Sequence, residues 1–200
     1  MKYQYYIGMD EVGRGALAGP VCVAAVLVTH DYFLKSQIIL KGIKDSKELS
    51  SIDRLKWFNR FKSTKEFKYN VSFVSSKIID QINISRAANL AASRLYKKLN
   101  PLNKKIFVSL DYGLKMKSGI NYEAKIKGDS LVPIISAASI IAKVTRDKYM
   151  AKIGKNLPAY NFADNKGYGT KSHIKALRNH GPSIHHRKSF LKRFNKVELL

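Results

Sequence analysis

Three aspartates share one local setting. Asp10 closes the apolar run "YIGM", Asp111 closes "IFVSL" and Asp129 follows "AKIKG", each beside a turn, with Glu11 next to the first. A lone aspartate at a strand end is usually an Asx-turn or a helix cap, and Asp129 stands directly before an expected helix. In a sheet-based domain, however, strand ends and their loops converge, so carboxylates distant in sequence can meet there. Left alone they repel one another. Hard divalent cations, Mg2+ or Mn2+, are held by such oxygens together with water and phosphate oxygens. A pair of these ions about 4 Å apart can activate a water and stabilise the leaving oxygen in the in-line hydrolysis of a phosphodiester. Asp147, between Arg146 and Lys148, reads as a surface or supporting pair rather than a ligand.

The rest of the composition is strongly basic. Among 200 residues, 37 Lys and Arg stand against 14 Asp and Glu, a formal charge of +23. Such a surface seeks polyanions, although a general drift toward lysine would produce part of the same excess. Together the two features give a nucleic-acid backbone drawn in by the coat and one phosphate positioned by the acidic cluster. A noncatalytic basic nucleic-acid-binding protein is the alternative from another class, and for it the carboxylates would be only caps and turns.

The elements that must position these residues follow from periodicity. "YQYYIGMD" and "GPVCVAAVLV" read as two strands that could form a hairpin. "SIDRLKWFNRFKS" has helical spacing after a Ser50 or Ser51 cap, and "FKYNVSFVS" returns to strand. One long amphipathic helix is expected over 76–99, ended by Asn100-Pro101. "KKIFVSLDYG" is a buried strand, and "NYEAKIKGD" is a weaker one ending in Asp129. A helix capped by Ser130, with Pro133 in its first turn, is expected next. The tail reads as a loop and a short helix, then a basic and partly helical end. The order β-β-α-β-α-β-β-α-α implies an α/β fold, a mixed sheet covered by helices.

Cys22 lies in an apolar run without a second cysteine in the chain. That excludes a disulfide framework and a cysteine metal site, and fits a reduced compartment. Asp10 and Glu11 interrupt any signal-peptide core, and "VCVAAVLV" and "PIISAASIIA" are too short to cross a bilayer. The expectation is a cytoplasmic protein with no membrane partner, and a monomer because no exposed apolar stripe demands a second copy.

Gly13-Arg14-Gly15 follows the first carboxylates immediately. It can be a simple hairpin turn, or its bare backbone can let a nucleic-acid strand come close enough to touch a sugar hydroxyl, the group that distinguishes RNA from DNA. Tyr168, between Gly167 and Gly169, reads as an exposed ring on an open loop, with an inward loop anchor as the alternative. His173, His180, His185 and His186 have no zinc-site spacing and are expected at the surface or on phosphates. "HHRKSFLKRF" either extends a basic track along a duplex or is a solvated helix.

These stretches carry a resemblance. "GMDEVGRGALAGPV" is similar to the N-terminal signature of the ribonuclease HII family, and "KDSKELS", "IKGDSLVPIISAASIIAKVTRD", "NKGYGTKSHIKAL" and "IHHRKSF" agree in order and spacing over most of residues 6–190. The resemblance implies an RNase H-like catalytic domain over 1–160 and a C-terminal helical extension, 161–200, packed on it as one structural unit. It implies an endonuclease that cuts the RNA strand of RNA–DNA hybrids and nicks duplex DNA 5′ to a single embedded ribonucleotide, leaving 5′-phosphate and 3′-hydroxyl ends. By family motif, Asp10, Glu11, Asp111 and Asp129 carry over as catalytic ligands of two Mg2+ or Mn2+ ions. Gly13, Arg14 and Gly15 carry over as the turn that reads the 2′-hydroxyl, Lys47 as a phosphate contact, and Tyr168 as the ring packed on the next sugar. Val12 stands where the family has a small alanine, and Tyr112 where it generally has glycine. The related ribonuclease HIII type is the alternative within enzymes.

Overall fold

The structure, a computed structural model, describes residues 3–43, 46, 48–100 and 104–192. Five strands form one sheet: β1 (Tyr5–Val12), β2 (Val21–Thr29), β3 (Lys68–Val74), β4 (Ile106–Asp111) and β5 (Tyr122–Lys125), in the order β3-β2-β1-β4-β5. β1 pairs antiparallel with β2 and parallel with β4, while β2–β3 is antiparallel and β4–β5 parallel. The expected hairpin and mixed sheet are therefore present. The carboxylate-bearing strands, β1 and β4, are neighbours at the centre, with Met9 opposite Leu110, so Asp10 and Asp111 end up side by side.

Helices cover both faces. α1 (His30–Ile39), α2 (Ser51–Ser63) and α6 (Pro133–Asn156) lie on one, α3 (Ser76–Ile82) and α4 (Ile84–Leu99) on the other. Strand pleating splits β1 between them. Ile7 and Met9 join the α4-side core, whereas Tyr6 and Val12 join the α6 side. Buried Ala87, Ala88, Ala91 and Ala92 let α4 lie close to the sheet. On the other face a Cβ at Gly8 would meet the Ile134 carbonyl at 2.5 Å, so glycine there permits the start of α6 to press on β1 beside Asp10.

Three sequence expectations are corrected. The helix over 76–99 is two helices, broken at Asn83, which takes φ +66° and caps α4 by accepting from the Arg86 N–H. Asn tolerates positive φ without announcing it as glycine would. Second, β5 ends at Lys125, and Asp129 sits in a short helical turn, α5 (Gly128–Leu131). Third, Ser130 is not the cap of the long helix. Pro133 begins α6 at its first position, and the preceding Val132 is held extended (φ −122°, ψ 108°), which separates the two helices. α1, capped by Thr29, adds a helix that the sequence pattern did not indicate.

The chain after α6 folds into α7 (Phe162–Asn165), α8 (Lys171–His180) and α9 (Lys188–Leu191). Phe162, Leu177 and Leu191 share a small core with Leu17, Ala18 and Met150. This cluster fixes the loop that follows Asp10 and Glu11.

Candidate active site

Asp10 is buried, 5% exposed, at the end of β1 on the α6 face. Its Oδ1 accepts the Glu11 N–H at 2.7 Å, and Ser139 of α6 also hydrogen-bonds it. Burial above all, and then the charge of Glu11, hold its pKa well above the usual carboxylate range, with Asp111 adding to the effect. Glu11 is pushed up to about 7, again chiefly by burial; Arg14 opposes the shift and Asp111 adds to it. Arg14 Nη1 reaches Glu11 Oε1 at 3.4 Å, whereas the buried Oε2 has no hydrogen-bond partner among the described residues. Asp111 accepts the Gly128 N–H on Oδ1 at 2.8 Å, which ties the end of β4 to the turn carrying Asp129. Asp129 is 5% exposed, and its carbonyl accepts the Ser136 hydroxyl at 2.5 Å. Tyr112 is 67% exposed and does not crowd the cluster.

The donor set is all oxygen and like-charged, which suits a hard divalent cation. Glu11 Oε2 gives the specific sign: a buried acceptor without a donor is expensive unless a cation or water satisfies it. Among the described residues no three His, Cys, Asp or Glu side chains form a ready-made cage. Mg2+ and Mn2+ keep water and substrate oxygens in their shells. Asp10, Glu11, Asp111 and Asp129 are the residues that would hold such ions.

Behind the carboxylates, two fully buried arginines brace the loop over 13–20. Arg187 donates through Nε to Gly19 O (3.0 Å), Nη1 to Arg14 O (2.9 Å) and Nη2 to Gly13 O (2.7 Å). Arg146 donates to Pro20 O (2.9 Å), Ala18 O (3.1 Å) and Lys166 O (2.9 Å). Gly13 has φ +89°, and a Cβ there would collide with the Arg146 guanidinium. Beside Gly15, by contrast, a Cβ would meet nothing within 4 Å, so the turn is open on that side.

Several expected placements change. The Gly13 and Arg14 carbonyls are engaged from behind by Arg187 rather than free. "HHRKSFLKRF" is not simply a solvated helix or a basic track, because His186 and Arg187 are buried within it. His173 and His186 are not on the surface: their Nε2 atoms lie 2.9 Å apart in the interior. His173 Nδ1 bonds Tyr168 O at 2.9 Å, and His186 Nδ1 receives the Ser183 N–H at 2.9 Å. This pattern assigns both rings as neutral: His173 donates to Tyr168 O, and His186 donates to His173. Burial lowers the pKa of His173, and burial with the neighbouring His173 pushes His186 down to about 4. Tyr168 is half-buried, with the Arg146 guanidinium 5.5 Å from its ring centre and Lys143 Nζ 6.0 Å away. Asp147 pairs with Lys143 at 3.0 Å. Lys47 lies outside the described residues.

The Ribonuclease HII family model matches residues 7–195. The chain belongs to the ribonuclease HII family. It is 41% identical over 191 residues to the ribonuclease HII of Caldicellulosiruptor bescii, covering 95% of this chain and 88% of that one. The crystal structure of ribonuclease H2 from Pyrococcus horikoshii is similar, with 26% identity and a TM-score of 0.69 over 96% of this chain and 99% of that one. Bst-RNase HIII, solved in complex with Mn2+, shares the fold at 20% identity and a TM-score of 0.63, over 90% of this chain and 64% of that one. Ribonuclease HII is an endoribonuclease family, so the chain is a hydrolase with an RNase H-like fold. Within this fold, the residues that sequence reasoning missed are Arg146 and Arg187. Arg146 is in register with buried Ala142 and Met150, four residues to either side on α6, a signal masked by its charge. Arg187 is hidden in a run of basic residues.

Proposed function

We propose that this chain hydrolyses the RNA strand of RNA–DNA hybrids and nicks duplex DNA 5′ to a single embedded ribonucleotide, using Asp10, Glu11, Asp111 and Asp129 to hold two Mg2+ or Mn2+ ions. The observation that carries the reading is the buried, unpaired Glu11 Oε2 within a like-charged cluster, beside a braced glycine turn with one open side. A noncatalytic nucleic-acid binder has no use for buried negative charge facing a phosphate. Mn2+ with Bst-RNase HIII lends support to a divalent ion on this fold.

In this mechanism β1 and β4 set Asp10 and Asp111 side by side, and the Asp111–Gly128 bond brings in the turn that carries Asp129. Bound ions supply Lewis acidity, lowering the pKa of water and neutralising charge on the phosphate. Arg187 and Arg146 hold the 13–20 loop so that Gly13, Arg14 and Gly15 meet the ribose without rearranging. Each carbonyl engaged by Arg187 keeps a second lone pair for a 2′-hydroxyl. Tyr168, steadied by Arg146 and by the His173 bond to its carbonyl, packs on the following sugar. Water adds across the P–O3′ bond, giving a 5′-phosphate on the downstream piece, ribonucleotide first, and a 3′-hydroxyl upstream. The small core joining Leu17 and Ala18 to Phe162 and Leu177 supports reading 161–200 as an extension of the 1–160 catalytic domain. No helix among the described residues is long and apolar enough to cross a membrane, and we read the protein as a cytoplasmic monomer.

The test is cleavage of three end-labelled substrates, an RNA–DNA hybrid, a DNA duplex with one ribonucleotide and an all-DNA duplex, with and without Mg2+. Metal-dependent cutting of the first, a single 5′ nick in the second and no cutting of the third are expected. Failure on the first two with both Mg2+ and Mn2+ contradicts the proposal.

A further inference from the structure

The outer side of α4 and the 113–117 segment enclose a groove of about 390 Å3. Arg86, Arg94, Lys97, Lys115 and Lys117 line it, with no acidic side chain among its described lining residues. Elsewhere the coat is mixed: Lys56 pairs with Asp53, Lys125 with Glu123 and Lys143 with Asp147, and the larger cavity at the other end of the sheet includes Glu66. Cations gathered without acids repel one another unless an anion is bound among them.

Arg14 of the active-site turn bonds to both segments that carry the groove walls, just ahead of each wall: Nη2 donates to Ser85 Oγ, the residue before Arg86 on α4, at 3.0 Å, and Nη1 reaches Gly113 O, two residues before Lys115, at 3.4 Å. Asn89 Oδ1 accepts the Lys115 N–H at 2.9 Å, fixing the spacing of the walls. From Arg86 to Lys97 the helix rises about 16 Å. That equals roughly five base-pair steps of a duplex at about 3.4 Å each.

We infer that this groove is the track for the sugar–phosphate backbone of one nucleic-acid strand as it leaves the carboxylate site. The inference rests on the nuclease reading, which makes Arg14 part of the ribose-contacting turn. Contacts of this kind set affinity and register without reading sequence.

The test is the salt dependence of binding to a DNA duplex with one ribonucleotide, in EDTA so that nothing is cut. The full-length wild type is compared with Arg94→Gln/Lys97→Gln/Lys117→Gln, and with a control triple, Lys35→Gln/Lys62→Gln/Lys65→Gln, which removes three exposed lysines on α1, on α2 and in the turn after α2, all outside the groove. Each lost phosphate contact flattens the plot of log K against log salt by about 0.9. The groove triple is expected to flatten it by about 2 to 3 and the control by less than 1, with Arg94→Lys matching the wild type. Equal flattening by the two triples reduces the groove to part of the general coat and overturns the inference. An unchanged slope in the groove triple also overturns it and leaves the groove to an acidic protein. Cleavage in Mg2+ is scored separately: a wild type that binds but cuts nothing contradicts the nuclease reading, while one that cuts but shows no difference between the triples contradicts the track alone.

Discussion

At Asp10 and Glu11 burial leaves charge uncompensated. Both pKa values are raised, and Glu11 Oε2 has no partner among the described residues. Behind the loop that follows them, Arg187 and Arg146, brought in from distant parts of the chain, are just as buried, yet each donates to three backbone carbonyls. The two histidines between the frame and Tyr168 form a complete chain of donors and acceptors. On the proposed mechanism, one region is left electrostatically open for cations and a phosphate, while the other is saturated so that its geometry does not depend on what is bound. Functional sites are often destabilised in this way and supported by a rigid surround. Loss of function and loss of stability therefore separate between two neighbouring regions of the fold.

The largest effect expected is on Asp10. Asp10→Asn lowers Mg2+-dependent cleavage by about 10³-fold or more, measured in single turnover. The same change raises the metal-free Tm at neutral pH, because it removes an ionisation that the folded state opposes. Next comes Arg187→Met, which leaves the carbonyls of Gly13, Arg14 and Gly19 without their donor. It destabilises the protein by about 3 to 5 kcal/mol in a urea titration, and surviving protein discriminates less between ribonucleotide and deoxynucleotide substrates.

The pH dependence of stability sharpens the contrast, because the two regions carry opposite signs. His186 has a folded pKa depressed to about 4 against 6.5 unfolded, so its neutral form favours folding and that stability is lost as pH falls from about 6.5 to 4. Glu11 has a folded pKa raised to about 7 against 4.5 unfolded, so in EDTA its contribution falls as pH rises from about 4.5 to 7. Asp10→Asn/Glu11→Gln removes both raised carboxyls and leaves the histidine limb, with Tm rising over pH 4 to 6.5. His186→Phe removes the larger part of the histidine limb, so the carboxylates dominate and Tm falls over pH 4.5 to 7. The smallest effect belongs to Tyr112→Ala, an exposed site outside both regions: stability shifts by less than about 0.5 kcal/mol and the cleavage rate stays close to wild type.

Much of this architecture was legible in the sequence. Aromatic, β-branched and continuous apolar runs marked β1 to β4, and Ser50 or Ser51 marked the start of α2, because these signals are local. The break at Asn83 and the split between α5 and α6 were not read. The first depends on a non-glycine residue at positive φ. The second depends on Val132 being forced extended by Pro133, which was noticed only as a helix starter. The carboxylates Asp10, Asp111 and Asp129 could be proposed as a group because each follows an apparent strand beside a turn, although β5 in fact stops at Lys125, short of Asp129. The arginine frame could not, because a charged side chain is read as solvated, and only the tertiary fold supplies the carbonyls that bury Arg146 and Arg187. The histidines misled for the same reason: His173 and His186 lie 13 residues apart and become partners only when α8 packs against the turn before α9.

The difference between the open cluster and the saturated frame is tested most directly by thermal unfolding of wild type and Asp10→Asn at pH 7.5, in EDTA and in about 10 mM Mg2+. For binding in the millimolar range, the wild-type Tm rises by about 2 to 5 °C with Mg2+, and Asp10→Asn shows less than half that shift. A wild-type Tm that ignores Mg2+, or an equal shift in both proteins, contradicts the assignment of the carboxylates as the cation site.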